Sequence, residues 1–144
     1  MTESAQTLLV TGGMGYIGSH TIVEVLQSEG VCGFSKIVIV DNLSNSSTVA
    51  MERIKQICGP VADCLVFEEV DICNEAALGE VFTRHGPVGS VIHFAGLKAV
   101  GESVREPLKY YENNVGGSVS LVKNMLKHGC KNIVFSSSAT LYGE

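Results

Sequence analysis

The chain has 144 residues, which is enough for one domain that buries a hydrophobic core without disulfides or a metal ion. Its 15 acidic residues outnumber its 10 basic ones, and the formal net charge of −5 opposes binding to nucleic acid or to an acidic membrane surface. No apolar run approaches the roughly 20 residues that span a bilayer, and the first residues lack the basic-then-apolar pattern of a signal peptide. We therefore expect a globular cytoplasmic protein without nucleic-acid or membrane partners.

Short apolar runs alternate with longer amphipathic segments along the chain, which predicts alternating strands and helices. The predicted strands are Thr7 to Thr11, Lys36 to Val40, Leu65 to Glu68, Ser90 to Phe94 and Asn132 to Phe135. Their apolar runs do not alternate with polar residues, which is typical of strands buried on both faces of a parallel sheet. Right-handed crossovers then predict a doubly wound α/β sheet of the Rossmann type, in the order 3-2-1-4-5. A ligand would bind at the carboxyl ends of strands 1 and 4, where the order reverses.

Two helices carry clear apolar faces. The first follows Gly18, and the last is predicted from Pro107 to Lys127. The last helix bears an apolar stripe at spacings of three and four, formed by Leu108, Tyr111, Val115, Val119, Val122 and Leu126. Two glycines inside it, Gly116 and Gly117, each cost about 1 kcal/mol relative to alanine. We expect them to mark close packing against a neighbouring element rather than a break in the helix.

Strand 1 runs directly into a glycine-rich turn that opens the first helix. The first N–H groups of a helix have no partner within it, and the helix dipole adds about half a positive charge, so this position binds anions. Gly12, Gly15 and Gly18 have the spacing that lets a backbone approach a pyrophosphate closely. A glycine cluster without a ligand is the alternative, but the preceding strand and the following helix argue against it.

Asp41 ends strand 2, about 20 residues beyond the glycine-rich turn. A carboxylate at this point accepts hydrogen bonds from the hydroxyls of an adenosine ribose and repels a 2′-phosphate. The alternative is an ordinary surface aspartate at a strand end. Together with the turn, Asp41 predicts NAD rather than NADP as the cofactor.

Further polar residues follow the other strands. Asp71, after strand 3, is a candidate for binding adenine or, equally, a helix N-cap. His93 ends strand 4, where a hydrogen-bonded core histidine is the favoured interpretation. Lys98 is a candidate for the nicotinamide ribose or a phosphate, or else a solvated lysine. The five cysteines form no Cys-x-x-Cys pair and the four histidines are scattered, so we expect reduced thiols and no metal site.

With these residues assembled, the whole chain resembles the amino-terminal part of the UDP-galactose 4-epimerase family, also called the UDP-glucose 4-epimerases. This family belongs to the extended short-chain dehydrogenase/reductase superfamily. The Gly12-x-x-Gly15-x-x-Gly18 pattern is common to the superfamily. The segments that resemble this one family are Thr11 to His20, Asp41 to Leu43, His93 to Ser103 and Phe135 to Gly143.

The resemblance implies a tightly held NAD that takes hydride from C4 of the hexose of UDP-galactose or UDP-glucose and returns it to the other face of the 4-keto sugar. It also implies that Ser138 is a catalytic serine that hydrogen-bonds the reacting sugar hydroxyl, and that the last helix belongs to a homodimer interface. The cofactor residues that it implies are Tyr16 and Ile17 at the pyrophosphate; Asp41, Asn42, Leu43, Ser44, Asn45 and Ser46 at the adenosine ribose; Asp71 and Ile72 at the adenine; Phe94, Ala95, Gly96, Leu97 and Lys98 at the nicotinamide; and Asn113.

One part of the family's machinery is missing from these residues. The family's catalytic base is the tyrosine of a Tyr-x-x-x-Lys motif that lies beyond Ser138, and none of the tyrosines here has a lysine four positions on. We therefore expect residues 1–144 to form an NAD-binding domain that lacks the carboxyl-terminal domain for uridine diphosphate. We also expect these residues to be inactive by themselves. The alternatives are a nucleotide-sugar 4,6-dehydratase or decarboxylase, which a glutamate beside the tyrosine would reveal, and a non-catalytic NAD-binding module.

Overall fold

A computed structural model describes residues 6–28 and 34–138 of the chain. Its five parallel strands form one sheet in the order β3-β2-β1-β4-β5. The strands are β1 (Gln6–Thr11), β2 (Phe34–Asp41), β3 (Leu65–Glu69), β4 (Val88–His93) and β5 (Asn132–Phe135). The predicted fold class and strand order are confirmed. β2 begins earlier than predicted because Phe34 pairs with Gln6 of β1.

Helices connect the strands and cover both faces of the sheet. They are α1 (Tyr16–Gln27), α2 (Val49–Cys58), α3 (Glu75–His85), α4 (Val100–Arg105), α5 (Pro107–Tyr110) and α6 (Gly117–Lys127), with a 3-10 helix at Gly59–Cys64 and a π-helical turn at Tyr111–Gly116. Within the described ranges, no helix is both long enough and apolar enough to cross a membrane.

Two hydrophobic cores lie on opposite faces of the sheet because successive side chains of a strand point to opposite sides. On one face, Leu8 and Val10 of β1 pack with Ile22 of α1 and Ile54 of α2. On the other face, Leu9 packs with residues of α3 and α6, namely Leu78, Val81, Phe82, Leu121 and Met125. Each fully buried side chain of this size stabilises the fold by about 1.5–3 kcal/mol. The unbroken apolar runs of the central strands therefore contribute side chains to both cores.

The last helical segment follows the predicted path from Pro107 to Lys127 but contains the π-helical turn Tyr111–Gly116. A Cβ added at Gly117 would lie 2.6 Å from Cδ1 of Ile72, so close packing requires glycine there, as predicted. A Cβ added at Gly116 would meet nothing within 4 Å. The packing prediction is therefore confirmed for Gly117 and wrong for Gly116.

The apolar stripe predicted on this segment faces outward. Leu108 is 75% exposed and Leu126 is 71% exposed, and the residues between them on the stripe are also exposed. Val100 and Val104 of α4 add two more exposed apolar side chains nearby in the sequence. An apolar surface of this kind is typical of an interaction site.

Candidate cofactor-binding site

The carboxyl ends of β1, β2 and β4 meet where the strand order reverses. The backbone N–H of Gly12 donates to the Val40 carbonyl of β2 at 2.8 Å. The N–H of Phe94 donates to the Thr11 carbonyl of β1 at 3.0 Å. These bonds bring together the glycine-rich turn, the loop after β2 and the loop after β4, which is where doubly wound sheets bind their ligands.

The three glycines of the turn differ in whether the chain leaves room for a side chain at their positions. Gly12 has a φ of 67°, and a Cβ there would lie 2.6 Å from the Ala95 backbone nitrogen. A Cβ at Gly18 would overlap the Gly12 carbonyl oxygen, so α1 lies tight against the turn. A Cβ at Gly15, in contrast, would meet only the Gly12 carbonyl oxygen, at 3.4 Å. Packing within the chain therefore leaves the Gly15 side of the turn open to a closely approaching ligand.

The N-terminus of α1 is suited to an anion. Its N-cap is Gly15, which has no side chain to cap the helix, and its first turn contains no acidic residue. Tyr16 and Ile17, the first two helical residues, are 77% and 45% exposed. Their N–H groups have no partner within the helix, so they are available to a phosphate group.

The Asp41 carboxylate joins two of the loops. Its Oδ2 accepts a hydrogen bond from the Met14 N–H at 3.0 Å, within the glycine-rich turn. Its Oδ1 accepts bonds from the Leu43 N–H at 3.0 Å and from the Ser46 hydroxyl at 2.8 Å. A carboxylate has about four acceptor sites, so Oδ2 keeps capacity for a ligand hydroxyl. The rest of this loop, Ser44 and Asn45, is exposed.

Asp71 and Ile72 lie after β3. The Asp71 carboxylate accepts hydrogen bonds from the Asn42 side-chain amide at 2.9 Å and from the Cys73 N–H at 2.8 Å. Partial burial by itself raises the pKa of Asp71, but these hydrogen bonds hold that pKa below its ordinary value. The N-cap interpretation of Asp71 is wrong, because Asn74 is the N-cap of α3. The side chain of Ile72 is buried in a core.

The loop after β4 is held by the last helical segment. Phe94, Ala95, Gly96 and Leu97 are half-buried, while Lys98 is exposed. The Asn114 side chain accepts from the Leu97 N–H and donates to the Leu97 carbonyl, both at 2.8 Å. The predicted site residue Asn113 donates to Asn114 Oδ1 at 2.8 Å. Sequence reasoning missed Asn114, and only its place beside Asn113 in the chain pointed to it.

His93 is the hydrogen-bonded core histidine that the sequence favoured. Only 2% of its surface is exposed. Its Nδ1 lies 2.6 Å from the Thr11 hydroxyl and its Nε2 lies 2.9 Å from the Ser118 hydroxyl. Burial lowers the pKa of His93, so the ring is neutral near pH 7. Ser118 is a second residue that sequence reasoning missed.

Ser138 is exposed and lies beyond the end of β5. The Ser136 N–H donates to the His93 carbonyl at 3.1 Å, which places the start of the serine run beside the end of β4. Tyr142 and Gly143 of the predicted family segment lie outside the described residues. Across residues 6–28 and 34–138, no three His, Cys, Asp or Glu side chains cluster as metal ligands would.

The parallel sheet, the glycine-rich turn and Asp41 together define a dinucleotide-binding domain of the Rossmann type. The NAD dependent epimerase/dehydratase family matches residues 8–144, and the chain belongs to this family. The family's dependence on NAD confirms the cofactor predicted from Asp41.

Curated relatives are similar over nearly the whole of this chain. A UDP-glucose 4-epimerase of Cyamopsis tetragonoloba is 53% identical over 140 residues, which are 97% of this chain and 38% of that protein. A UDP-glucose 4-epimerase of Bacillus subtilis is 55% identical over 136 residues, 94% of this chain and 38% of that protein. The chain therefore spans about 38% of the length of these relatives.

Solved structures show the same similarity in three dimensions. UDP-glucose 4-epimerase from Bifidobacterium longum, in complex with NAD+ and UDP, matches with a TM-score of 0.84 and 47% identity, over 96% of this chain and 38% of that chain. The enzyme from Stenotrophomonas maltophila, with bound NAD and formylated UDP-arabinopyranose, matches with a TM-score of 0.84 and 43% identity, over the same shares of the two chains. Both structures share the fold predicted for this chain.

Proposed function

We propose that residues 1–144 are the NAD-binding domain of a cytoplasmic enzyme that interconverts UDP-galactose and UDP-glucose. The observation that carries the proposal is the position of the Asp41 carboxylate. It lies 3.0 Å from the Met14 N–H, beside the uncapped start of α1. This combination suits a dinucleotide, because its pyrophosphate accepts hydrogen bonds from free N–H groups while its ribose hydroxyls donate to a carboxylate. The names of the relatives supply the substrate class.

The residues around the site fit NAD. The N–H groups of Tyr16 and Ile17 would hold the pyrophosphate, next to Gly12, Gly15 and Gly18, and Asp41 would hold the adenosine ribose with the loop Asn42 to Ser46 around it. Asp71 and Ile72 are assigned to the adenine end. Phe94 to Lys98 are assigned to the nicotinamide end, and Asn113 is assigned to the residues around the cofactor. When bound, NAD supplies the acceptor for a hydride from C4 of the hexose.

Ser138 is proposed as the catalytic residue that this chain contributes. Its hydroxyl, exposed beyond β5, would hydrogen-bond the C4 hydroxyl of a UDP-sugar and orient it for loss of its proton. The proton acceptor is assigned to the tyrosine of a Tyr-x-x-x-Lys motif outside residues 1–144. We also assign the grip on uridine diphosphate to other parts of the protein.

The exposed apolar stripe from Leu108 to Leu126 is proposed as the homodimer interface of the complete enzyme. Its side chains follow one another at helical spacing, and they leave a continuous apolar surface in contact with water. A second copy of the same helix offers a matching apolar surface. A twofold interface of this kind is self-complementary and is the commonest way in which proteins form dimers.

Calorimetric titration of the chain with NAD and with NADP tests the cofactor assignment. We expect tighter binding of NAD, because Asp41 accepts bonds from a ribose diol and repels a phosphate. Equal affinity for both cofactors would contradict the ribose assignment. Conversion of UDP-galactose to UDP-glucose by the complete protein tests the reaction, and complete inactivity with both UDP-sugars would contradict it.

A further inference from the structure

A chain of hydrogen bonds runs beneath the loop that follows β4. Thr11 and His93 are register partners on β1 and β4, and both are buried. The Thr11 hydroxyl lies 2.6 Å from His93 Nδ1, and His93 Nε2 lies 2.9 Å from the Ser118 hydroxyl. The Ser118 hydroxyl in turn donates to the Asn114 carbonyl at 2.6 Å.

The direction of every bond in this chain follows from its last member. A carbonyl only accepts, so the single hydroxyl proton of Ser118 points to Asn114. The Ser118 oxygen must then accept from His93, which places the ring proton on Nε2. His93 Nδ1 is therefore bare and accepts the hydroxyl proton of Thr11. A neutral ring with this one tautomer satisfies every member of the chain, and burial lowers the pKa of His93 in the same sense.

Both ends of the hydrogen-bond chain touch the same loop. Asn114 binds the Leu97 N–H and carbonyl, each at 2.8 Å. The Thr11 hydroxyl oxygen accepts a hydrogen bond from the Ala95 N–H at 3.5 Å, and the α-carbon of the next residue, Gly12, faces the Ala95 backbone with no room for a side chain. The loop after β4 is thus bound at Leu97 and packed at Ala95, and Ser118 is the link between His93 and Asn114.

We propose that Ser118 is a positioning residue that, through His93 and Asn114, fixes the loop Phe94 to Lys98 against the glycine-rich turn. The importance of this loop for the cofactor rests on the proposed function, which assigns it to the nicotinamide end. The hydrogen bonds that hold the loop, in contrast, are all made between residues of this chain. Ser118 touches neither cofactor nor substrate in this scheme, and it acts by preorganising the surface that they meet.

Nuclear magnetic resonance of the chain tests the proposal without a cofactor. In Ser118→Ala, we expect exchange of the Leu97 amide hydrogen to be about two- to tenfold faster, because one hydrogen bond that holds Asn114 is lost. The chemical shifts of the two His93 ring nitrogens should change from those of the Nε2–H tautomer to those of a mixture of both tautomers. Ser118→Thr keeps the hydroxyl and should restore both signals. Ser103→Ala is the matched control, since the Ser103 hydroxyl donates only to Val100 of its own helix, at 2.7 Å.

Unchanged Leu97 exchange together with an unchanged His93 tautomer in Ser118→Ala would overturn the proposal. An Nδ1–H tautomer in the unsubstituted chain would also overturn it. Calorimetry with NAD then distinguishes a failure of the proposed role of Ser118 from a failure of the proposed NAD-binding function. Weaker NAD binding by Ser118→Ala, about two- to tenfold, would support both. Failure of the unsubstituted chain to bind NAD would contradict the proposed function, while the Leu97 and His93 signals would still decide the role of Ser118.

Discussion

The Asp41 carboxylate and the Met14 N–H form a hydrogen bond of 3.0 Å that ties the end of β2 to the glycine-rich turn after β1. Both residues are buried. Both partners belong to the chain itself, so the protein's own backbone holds the Asp41 carboxylate beside the glycine-rich turn. Because this is a charge-assisted bond to the backbone, it fixes the separation of the two loops more firmly than a neutral bond would.

We expect the substitution of Asp41 to lower the affinity of the chain for NAD. Asp41→Ala is expected to weaken NAD binding by about 10- to 150-fold, the loss of one hydrogen bond to a charged group. Calorimetry measures the change. Asp63→Ala is the control, since Asp63 is an exposed aspartate on the 3-10 helix. Equal affinities of the two variants would contradict the role of Asp41, and thermal unfolding of both distinguishes lost affinity from lost fold.

The adjacent glycines of the last helical segment should respond oppositely to alanine. Gly117→Ala places a Cβ 2.6 Å from Ile72 Cδ1 and is expected to destabilise the chain by about 1–3 kcal/mol. Gly116→Ala meets no atom within 4 Å and should stabilise the chain by about 0.5–1 kcal/mol, because alanine favours a helix. Urea unfolding measures both changes. Changes of the same sign would contradict the difference in packing between Gly116 and Gly117.

Stability should fall as the pH drops below about 6.5, the ordinary pKa of histidine. Burial lowers the pKa of His93, so the folded chain binds fewer protons there than the unfolded chain. The contribution of neutral His93 is therefore complete above about pH 6.5 and is lost as the pH falls through the folded-state pKa. His93→Gln should flatten this dependence in urea unfolding between pH 7.5 and 5, whereas Asn45→Gln, which changes an exposed residue without a titratable side chain, should not. Identical slopes for the unsubstituted chain and His93→Gln would contradict the prediction.

In the complete enzyme, Ser138→Ala should lower kcat on the order of 100-fold and change NAD affinity little, because the serine is assigned to the sugar hydroxyl rather than to the cofactor. A coupled assay of UDP-glucose formation and a separate NAD titration measure the two effects. Ser137→Ala, at the neighbouring exposed serine, is the control. A loss of NAD affinity as large as the loss of kcat would contradict this assignment.

The 144-residue chain is expected to self-associate through its exposed apolar stripe. Val119 is 49% exposed at the middle of the stripe, and Val119→Asp should reduce the associated fraction by introducing a charge there. Light scattering after a sizing column measures the mass. Ile57→Asp, which changes an exposed apolar residue of α2, is the control. A clean monomer of the unsubstituted chain would contradict the assignment of the stripe as an interface.

The amino-acid sequence by itself determined the order of the sheet and the location of the site. Unbroken apolar runs identify strands buried on both faces of a parallel sheet, and the glycine-rich turn after strand 1 favours the Rossmann-type strand order among those that right-handed crossovers allow. The glycine-rich turn and Asp41 were recognisable because each is a local pattern at a strand end. Because the carboxyl ends of parallel strands lie at the same end of a sheet, the turn and Asp41 are then expected close together.

Only the tertiary structure decided how the site is held. The sequence does not distinguish Asn114, which binds Leu97, from its neighbour Asn113, nor Gly117, which packs on Ile72, from Gly116. It also favoured a helix cap as much as adenine for Asp71, and the structure excludes the cap because Asn74 caps α3. These roles depend on contacts between segments far apart in the chain, and such contacts have no periodicity or spacing in the sequence because folding alone brings the segments together.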